Sequence, residues 1–151
     1  MPQSLHAVYV HLVFSTKNRR PFLRDQYMRK QLHAYLGGLS NDLGYRSVIV
    51  GGIEDHVHLL AQVCRTKPLS IWVRDLKRNS NGWLRQKDTC FNDFAWQAGY
   101  GIFSVSVSQI VDVKRYIASQ ESHHQKEDFK TEFRRLLSAN AVDWDERFVW
   151  S

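Results

Sequence analysis

The sequence predicts an α+β fold in which strand-like and helix-like segments follow the order β-α-β-β-α-β, with further helices at the end. Short segments rich in β-branched and aromatic residues alternate with longer segments whose apolar residues recur at helical spacing. With 151 residues, 43% of them hydrophobic, the chain is long enough to bury a core and unlike a disordered tail. We therefore expect a single domain spanning residues 1–151.

The first half of the chain contains three predicted strands and one predicted helix. "HAVYVHLVF" (6–14) has the composition of a central strand. An amphipathic helix is predicted over 23–43, and Gly44 is a good stop signal. "YRSVIVGGIEDHVHLLAQV" (45–63) predicts two strands joined near its glycines and acidic residues.

The second half begins with a helix after Pro68 that is apolar on one side and basic on the other. "GYGIFSVSV" (99–107) alternates as a fourth strand. Ser108 is a candidate cap for a helix over about 109–123, and a last helix is predicted over 126–139. This order is typical of the ferredoxin-like, split-βαβ fold: a four-stranded antiparallel sheet with two helices on one face. The other face is left for nucleic acid or for the C-terminal helices.

Positive charge is concentrated in two blocks of the sequence, and the formal net charge is +6. Residues 1–50 carry seven Lys/Arg against two Asp, and residues 65–87 carry seven against one. Such blocks suit a polyanion, most simply nucleic acid, although an ordinary solvated surface is the alternative. The candidates for backbone contacts are Lys17, Arg19, Arg20, Arg74, Lys77 and Arg78.

Neither a membrane span nor a secretory signal is recognisable, so we expect a soluble cytoplasmic protein. Cys64 and Cys90 are isolated from each other in sequence, which argues against a zinc ribbon and favours free thiols.

Two histidines alternate along the third predicted strand, in "EDHVHLL" (54–60). His56 and His58 point to the same side of the strand, where two imidazoles could converge on Mn, Zn, Fe, Ni or, with waters, Mg. A solvent-facing or hydrogen-bonded pair remains the alternative. Glu54 and Asp55, beside them, could shape the turn or orient a ligand from outside.

A second pair of chemically capable residues lies on the helix predicted over 109–123. Tyr116 and Gln120 are four residues apart and emerge from one helix face. Tyrosine can act as a covalent nucleophile, and the glutamine carbonyl can bind a metal. The alternative is an ordinary aromatic residue beside a solvated glutamine.

Together these motifs resemble the HUH single-tyrosine transposases, the TnpA-like enzymes of the smallest bacterial and archaeal insertion sequences. The resemblance is carried, in the family's order, by "HLVFSTKNRRP", "GGIEDHVHLL", "FAWQAGYGIFSVS" and "RYIASQESHH". "HHQKEDFKTEFRRLL" and "DERFVW" are similar to its C-terminal region. The domain would then comprise a core (1–107), a tyrosine helix (about 109–123) and a C-terminal helix and tail (126–151).

The resemblance implies that His56, His58 and Gln120 bind Mg²⁺ or Mn²⁺ and that Tyr116 attacks a phosphodiester of single-stranded DNA. The products would be a 5′-phosphotyrosine link and a free 3′-OH that later rejoins strands without a nucleotide cofactor. It also implies hairpin recognition and a homodimer in which the tyrosine helix, hinged near residues 106–109, completes the partner's metal site in trans.

Two other functions remain open from the sequence. A domesticated relative that cuts repeated hairpins of its host would share the chemistry, whereas a non-catalytic nucleic-acid-binding module would not need Tyr116. His123 and His124 are interpreted as helix-end or DNA-facing residues, because the family pattern already has its ligands.

Overall fold

Four antiparallel strands form the centre of the protein, a computed structural model that describes residues 2–151. The strands are β1 (Tyr9–Ser15), β2 (Arg46–Gly52), β3 (His56–Gln62) and β4 (Gly101–Val105). Their order in the sheet is β2-β3-β1-β4. This order and the helices between the strands confirm the predicted ferredoxin-like arrangement.

Within residues 2–151, five α-helices accompany the sheet: α1 (Gln26–Asp42), α2 (Leu69–Lys87), α3 (Ile110–Ala118), α4 (Gln120–His123) and α5 (Phe129–Ala139). The helix predicted over 109–123 is therefore two helices. The prediction that Ser108 caps it is wrong, because Ser108 lies in a 3-10 turn and its hydroxyl contacts Ser106. No helix of the described residues has the length and apolar character needed to cross a membrane. Both cysteines are free thiols, as predicted.

The main core lies between one face of the sheet and helices α1 and α2. On β3 the residues of this face are Val57, Leu59 and Ala61, and all three are fully buried. Helix α1 begins where the Asp25 side chain accepts from the backbone N–H of Tyr27 at 3.0 Å. Alternation along β3 thus sends its apolar residues to this core and its histidines to the opposite face.

Helices α3 and α5 cover the opposite face, which the sequence left for nucleic acid or for extra helices. Two glycines allow them to approach closely. A Cβ atom on Gly51 would lie 2.6 Å from the carbonyl oxygen of Ile117 in α3. One on Gly101 would lie 2.5 Å from the ring of Phe133 in α5. The two helices are therefore seated directly on the strands, over the histidines of β3.

Candidate active site and metal centre

His56 and His58 lie side by side on the face of β3 that helix α5 covers. Neither side chain has exposed surface, so the solvent-facing alternative is excluded. One ring nitrogen of each, together with a carboxylate oxygen of Glu132, forms a group whose atoms all lie within 4.8 Å of one another. Such a buried group of nitrogen and oxygen donors is a candidate metal centre.

Asp55 orients His56 from outside the candidate centre. Nδ1 of His56 donates to Oδ1 of Asp55 at 2.7 Å, which leaves Nε2 facing the interior of the site. Burial by itself would lower the pKa of His56, but hydrogen bonds to Asp55 and Glu132 outweigh it and raise that pKa to about 9. The role of Asp55 left open by the sequence is therefore that of a histidine-orienting carboxylate.

His58 is oriented by a histidine for which the sequence revealed no partner. Nδ1 of His58 lies 2.8 Å from Nε2 of His11 on β1. Burial lowers the pKa of His11 to about 3 and that of His58 to about 4, so both rings are neutral. Sequence analysis missed this contact because it depends on β1 lying next to β3, although His11 does occupy a strand position on the histidine face.

Both residues singled out on the tyrosine helix reach the histidines of their own chain. Gln120, now the first residue of α4, accepts from Nε2 of His56 through its Oε1 at 3.0 Å and is buried. The ring of Tyr116 meets that of His58 edge-on, with centroids 5.8 Å apart. Four residues that were predicted from two distant sequence segments thus meet at one place.

Glu132 on α5 lies at the centre of this group and was not predicted. Its side chain has no exposed surface. Oε1 lies 3.2 Å from Nε2 of His58 and 3.2 Å from Nε2 of His56. Oε2 accepts from the Tyr116 hydroxyl and, at 3.0 Å, from Nε2 of Gln120. One sequence feature did indicate a role for Glu132. It lies between Phe129 and Phe133 on the apolar stripe of a helix, where an acid is buried only if it is paired.

The hydrogen bonds around Glu132 determine its charge. Burial would raise the pKa of this carboxyl group, but contacts with His124, His56 and His58 outweigh burial and hold the pKa far below its usual range. Glu132 is therefore ionised. Nε2 of His124 lies 2.9 Å from Oε1, and the His124 side chain is only 3% exposed. His124 does lie at a helix end, as the C-cap of α4, but its side chain faces the buried Glu132 and not solvent.

The hydroxyl of Tyr116 lies between two charged side chains of α5, those of Glu132 and Arg135. Burial and the negative charge of Glu132 raise the pKa of the hydroxyl above its usual value. Arg135 acts in the opposite direction, since one of its guanidinium nitrogens donates to the hydroxyl at 3.0 Å. Tyr116 is therefore protonated in the resting site, with Glu132 in position to accept its proton and Arg135 in position to stabilise negative charge on its oxygen.

The donor set fits a small divalent cation. Ligands about 2.1 Å from an octahedral ion are separated by roughly 3 Å along the edges of the octahedron. Nε2 of His56 lies 3.0 Å from Oε1 of Gln120 and 3.2 Å from Oε1 of Glu132. Two imidazoles, an amide oxygen and a carboxylate are ligands that Mn²⁺ accepts, and Mg²⁺ could take the oxygens with added waters.

The basic residues predicted to contact DNA have different surroundings. Arg19 donates to the carbonyl oxygen of Trp150 and Arg20 pairs with Asp93, while Arg74 and Arg78 both contact Asp75. The Lys77 ammonium donates to three carbonyl oxygens, at 2.7, 2.9 and 3.2 Å. Lys17 is exposed. Contacts between these side chains and DNA stay predictions.

Comparisons with known proteins relate this chain to a family. Residues 4–120 match the family described as "Transposase IS200 like". A protein of Deinococcus radiodurans R1, described as a transposase, has 22% identity and a TM-score of 0.58 over 80% of this chain and 96% of its own. A REP-associated tyrosine transposase bound to a REP hairpin has 13% identity and a TM-score of 0.57 over 82% of this chain and 74% of its own.

These two structures share the fold of this chain. No curated protein matches it. The family match covers the sheet, both histidines of β3, the tyrosine and Gln120, and it extends over more than half of the sequence. The chain belongs to the IS200-like transposase family.

Proposed function

We propose that this protein cleaves and rejoins single-stranded DNA at the ends of an insertion sequence, with Tyr116 as the nucleophile. One observation carries the proposal. A single buried carboxylate, that of Glu132, contacts the Tyr116 hydroxyl through one oxygen and lies 3.2 Å from Nε2 of His58 through the other. A nucleophile and a set of metal ligands therefore share one enclosed site.

In the proposed cleavage step, the hydroxyl oxygen of Tyr116 forms a bond to the phosphorus of a phosphodiester. The bond between that phosphorus and the 3′-oxygen of the preceding nucleotide breaks. Glu132 is placed to accept the hydroxyl proton, and the departing 3′-oxygen takes up a proton to become a free 3′-OH. The 5′-phosphotyrosine link keeps the bond energy, so a 3′-OH can reverse the step and rejoin strands.

His56, His58 and Gln120 would hold a divalent metal ion, Mg²⁺ or Mn²⁺. When bound, this ion would polarise the scissile phosphate and neutralise part of the charge on its oxygens. Asp55 and His11 hold the two imidazoles in place, through contacts of 2.7 and 2.8 Å respectively. Arg135 lies against the tyrosine oxygen, which carries the negative charge when Tyr116 is the leaving group in rejoining.

The proposed substrate is single-stranded DNA that also forms hairpins. The two basic blocks of the sequence suit a phosphate backbone. The REP-associated tyrosine transposase, which shares this fold, is bound to a REP hairpin, and this supports a hairpin substrate here. The same likeness favours, as a second candidate, a relative that cuts repeated hairpins of its host. Hairpins that flank the coding segment on both sides would indicate a mobile element instead.

The test is incubation with a hairpin-bearing oligonucleotide taken from sequences that flank the coding segment, in Mg²⁺ or Mn²⁺. We expect a covalent protein–DNA adduct that survives denaturing electrophoresis and disappears in Tyr116→Phe. Tyr27→Phe is the matched control, because Tyr27 is 69% exposed and lies on α1, outside the site. If Tyr116→Phe forms as much adduct as the parent, or the folded parent forms none, the proposal is wrong.

We also propose a homodimer whose sites are completed in trans during strand transfer. Within one chain the tyrosine helix sits on its own β3, so exchange would require α3 to α5 to turn about the exposed residues 106–109. Mixing His56→Ala with Tyr116→Phe subunits tests this. Trans assembly restores one working site in each heterodimer, whereas assembly in cis restores none.

A further inference from the structure

We propose that Glu132 is an additional protein ligand of the metal ion, contributed in the resting site by α5 of the same chain, and that it links this ion to the nucleophile. The inference rests on the proposed function, because the ion is the one that DNA cleavage would use. It concerns a residue outside the matched segment, which ends at residue 120.

The burial of Glu132 is the first argument. A carboxylate without exposed surface costs several kcal/mol of hydration free energy unless its oxygens are fully paired. Here it lies on an apolar helix face between Phe129 and Phe133, which are 2% and 3% exposed. Its contacts offset that cost here, but an apolar residue at this position would pack on the same face without incurring it. A buried acid that faces three imidazoles, those of His56, His58 and His124, is therefore better explained by cation binding than by stability.

The second argument is that the two carboxylate oxygens of Glu132 have different partners. Oε1 is turned toward the Nε2 atoms of His56 and His58, 3.2 Å from each, which is the separation expected between ligands of one small ion. Oε2 is turned away from them and accepts from Tyr116. One carboxylate can thus bind the ion through Oε1 while its Oε2 holds the hydroxyl of the nucleophile in position.

Helix α5 holds this carboxylate rigidly. Asp128 caps the helix by accepting from the N–H of Thr131 at 2.9 Å. Phe133 packs where Gly101 leaves no Cβ atom, so the following turns are seated on β4. The neighbouring Arg135 reaches Tyr116 from the same helix. The packing of α5 therefore fixes the position of the Glu132 carboxylate, as expected for a metal ligand and unlike a mobile acid on the surface.

Two other arrangements make different predictions. Glu132 could occupy the position of the cation and have to move away before the cation binds. Substitution of Glu132 would then strengthen cation binding. Alternatively the ion could bind beside the site, where His123, Glu127 and Glu132 also bring ligand atoms within 4.8 Å of one another. Both alternatives can be separated from the proposal by single substitutions.

The experiment measures Mn²⁺ affinity of the DNA-free protein by calorimetry and by the electron paramagnetic resonance signal of unbound Mn²⁺. His56→Ala first establishes that the measured ion is in this site. We expect Glu132→Gln to weaken binding at least tenfold and Glu127→Gln to leave it unchanged. The proposal is overturned if Glu132→Gln binds Mn²⁺ as tightly as the parent or more tightly, or if Glu127→Gln loses as much affinity.

A spectroscopic measurement does not require Glu132→Gln to fold. Parent protein labelled with ¹³C at glutamate carboxyl groups should show a ¹³C coupling to bound Mn²⁺ in electron–nuclear double resonance, and the same coupling in Glu127→Gln. Absence of that coupling from the parent, or its loss in Glu127→Gln, overturns the proposal.

The outcomes also distinguish this inference from the proposed function. A Glu132→Gln protein that keeps its Mn²⁺ affinity, while the parent forms the DNA adduct, refutes the ligand and leaves DNA cleavage standing. If the parent binds Mn²⁺ through Glu132 but forms no DNA adduct, the metal ligand stands and the proposed DNA cleavage is refuted.

Discussion

Nδ1 of His58 lies 2.8 Å from Nε2 of His11, and the two rings are stacked with centroids 5.0 Å apart. Burial lowers the pKa of both rings, to about 4 for His58 and about 3 for His11, so the pair shares one N–H between two neutral rings. When His58 donates through Nδ1, its Nε2 lone pair is available to a metal ion. A metal ion bound at Nε2 of His58 requires the tautomer with the N–H on Nδ1, and Nε2 of His11 lies in position to accept from that N–H.

His11→Phe should weaken Mn²⁺ binding by about ten- to a hundredfold, the usual effect of removing a partner that orients a metal ligand. The aromatic ring is kept, so packing against Phe103 changes little, but Nδ1 of His58 loses its hydrogen-bond partner. Calorimetry measures the affinity. His6→Phe is the control, since His6 is exposed and contacts a backbone carbonyl far from the centre. Equal affinities for the parent and His11→Phe would show that His58 needs no such support.

Arg135→Gln should slow both cleavage and rejoining of DNA, by about tenfold or more. Its guanidinium donates to the Tyr116 oxygen at 3.0 Å, and removing a donor to an oxygen that gains negative charge slows such reactions. Single-turnover adduct formation and its reversal by a 3′-OH strand are the measurements. Arg134→Gln is a matched control on the same helix, because Arg134 pairs with Glu146. Equal slowing by both variants would point to loss of helix α5 and not to a role at the oxygen.

Gly51→Ala should displace α3 and reduce adduct formation. The added methyl group would lie 2.6 Å from the carbonyl oxygen of Ile117, the residue after Tyr116. Overpacking of this kind costs about 1–3 kcal/mol, which lowers the melting temperature by several degrees in a domain of this size. Gly82→Ala, where nothing lies within 4 Å of the new Cβ, should leave activity unchanged. A fully active Gly51→Ala protein would contradict the close seating of the tyrosine helix.

Lys77 and the neighbouring arginines should respond differently to substitution. The Lys77 ammonium donates to the carbonyls of Gln97, Ala98 and Gly99, so Lys77→Met should lower stability by about 1 kcal/mol or more and leave the salt dependence of DNA binding unchanged. Replacing Arg74 and Arg78 by Gln should flatten the plot of log affinity against log salt by roughly 0.7 per lost contact with single-stranded DNA. An equally flattened plot for Lys77→Met would assign Lys77 to the DNA surface.

The sequence by itself determined the order of the elements and the identity of most candidate site residues. Alternation along β3 is a local property, so it placed His56 and His58 on one face and Val57 and Leu59 on the other. Helical spacing put Tyr116 and Gln120 forward as a pair, although the break at Ser119 divides their helix into α3 and α4. The spacing of apolar residues does not predict this break, because it is unchanged when the hydrogen bonding of a single helical turn is interrupted.

Only the tertiary structure decided which residues surround these four. Glu132 reaches His58 from 74 residues away in sequence, and His11 reaches it from 47 residues away. Their roles depend on α5 covering the open face of the sheet and on β1 lying between β3 and β4. The local sequence around Glu132 and around His11 does not indicate which residues they contact, because strand pairing and helix packing join segments that are distant in sequence. Periodicity selects the face on which a side chain lies, and packing selects what it meets there.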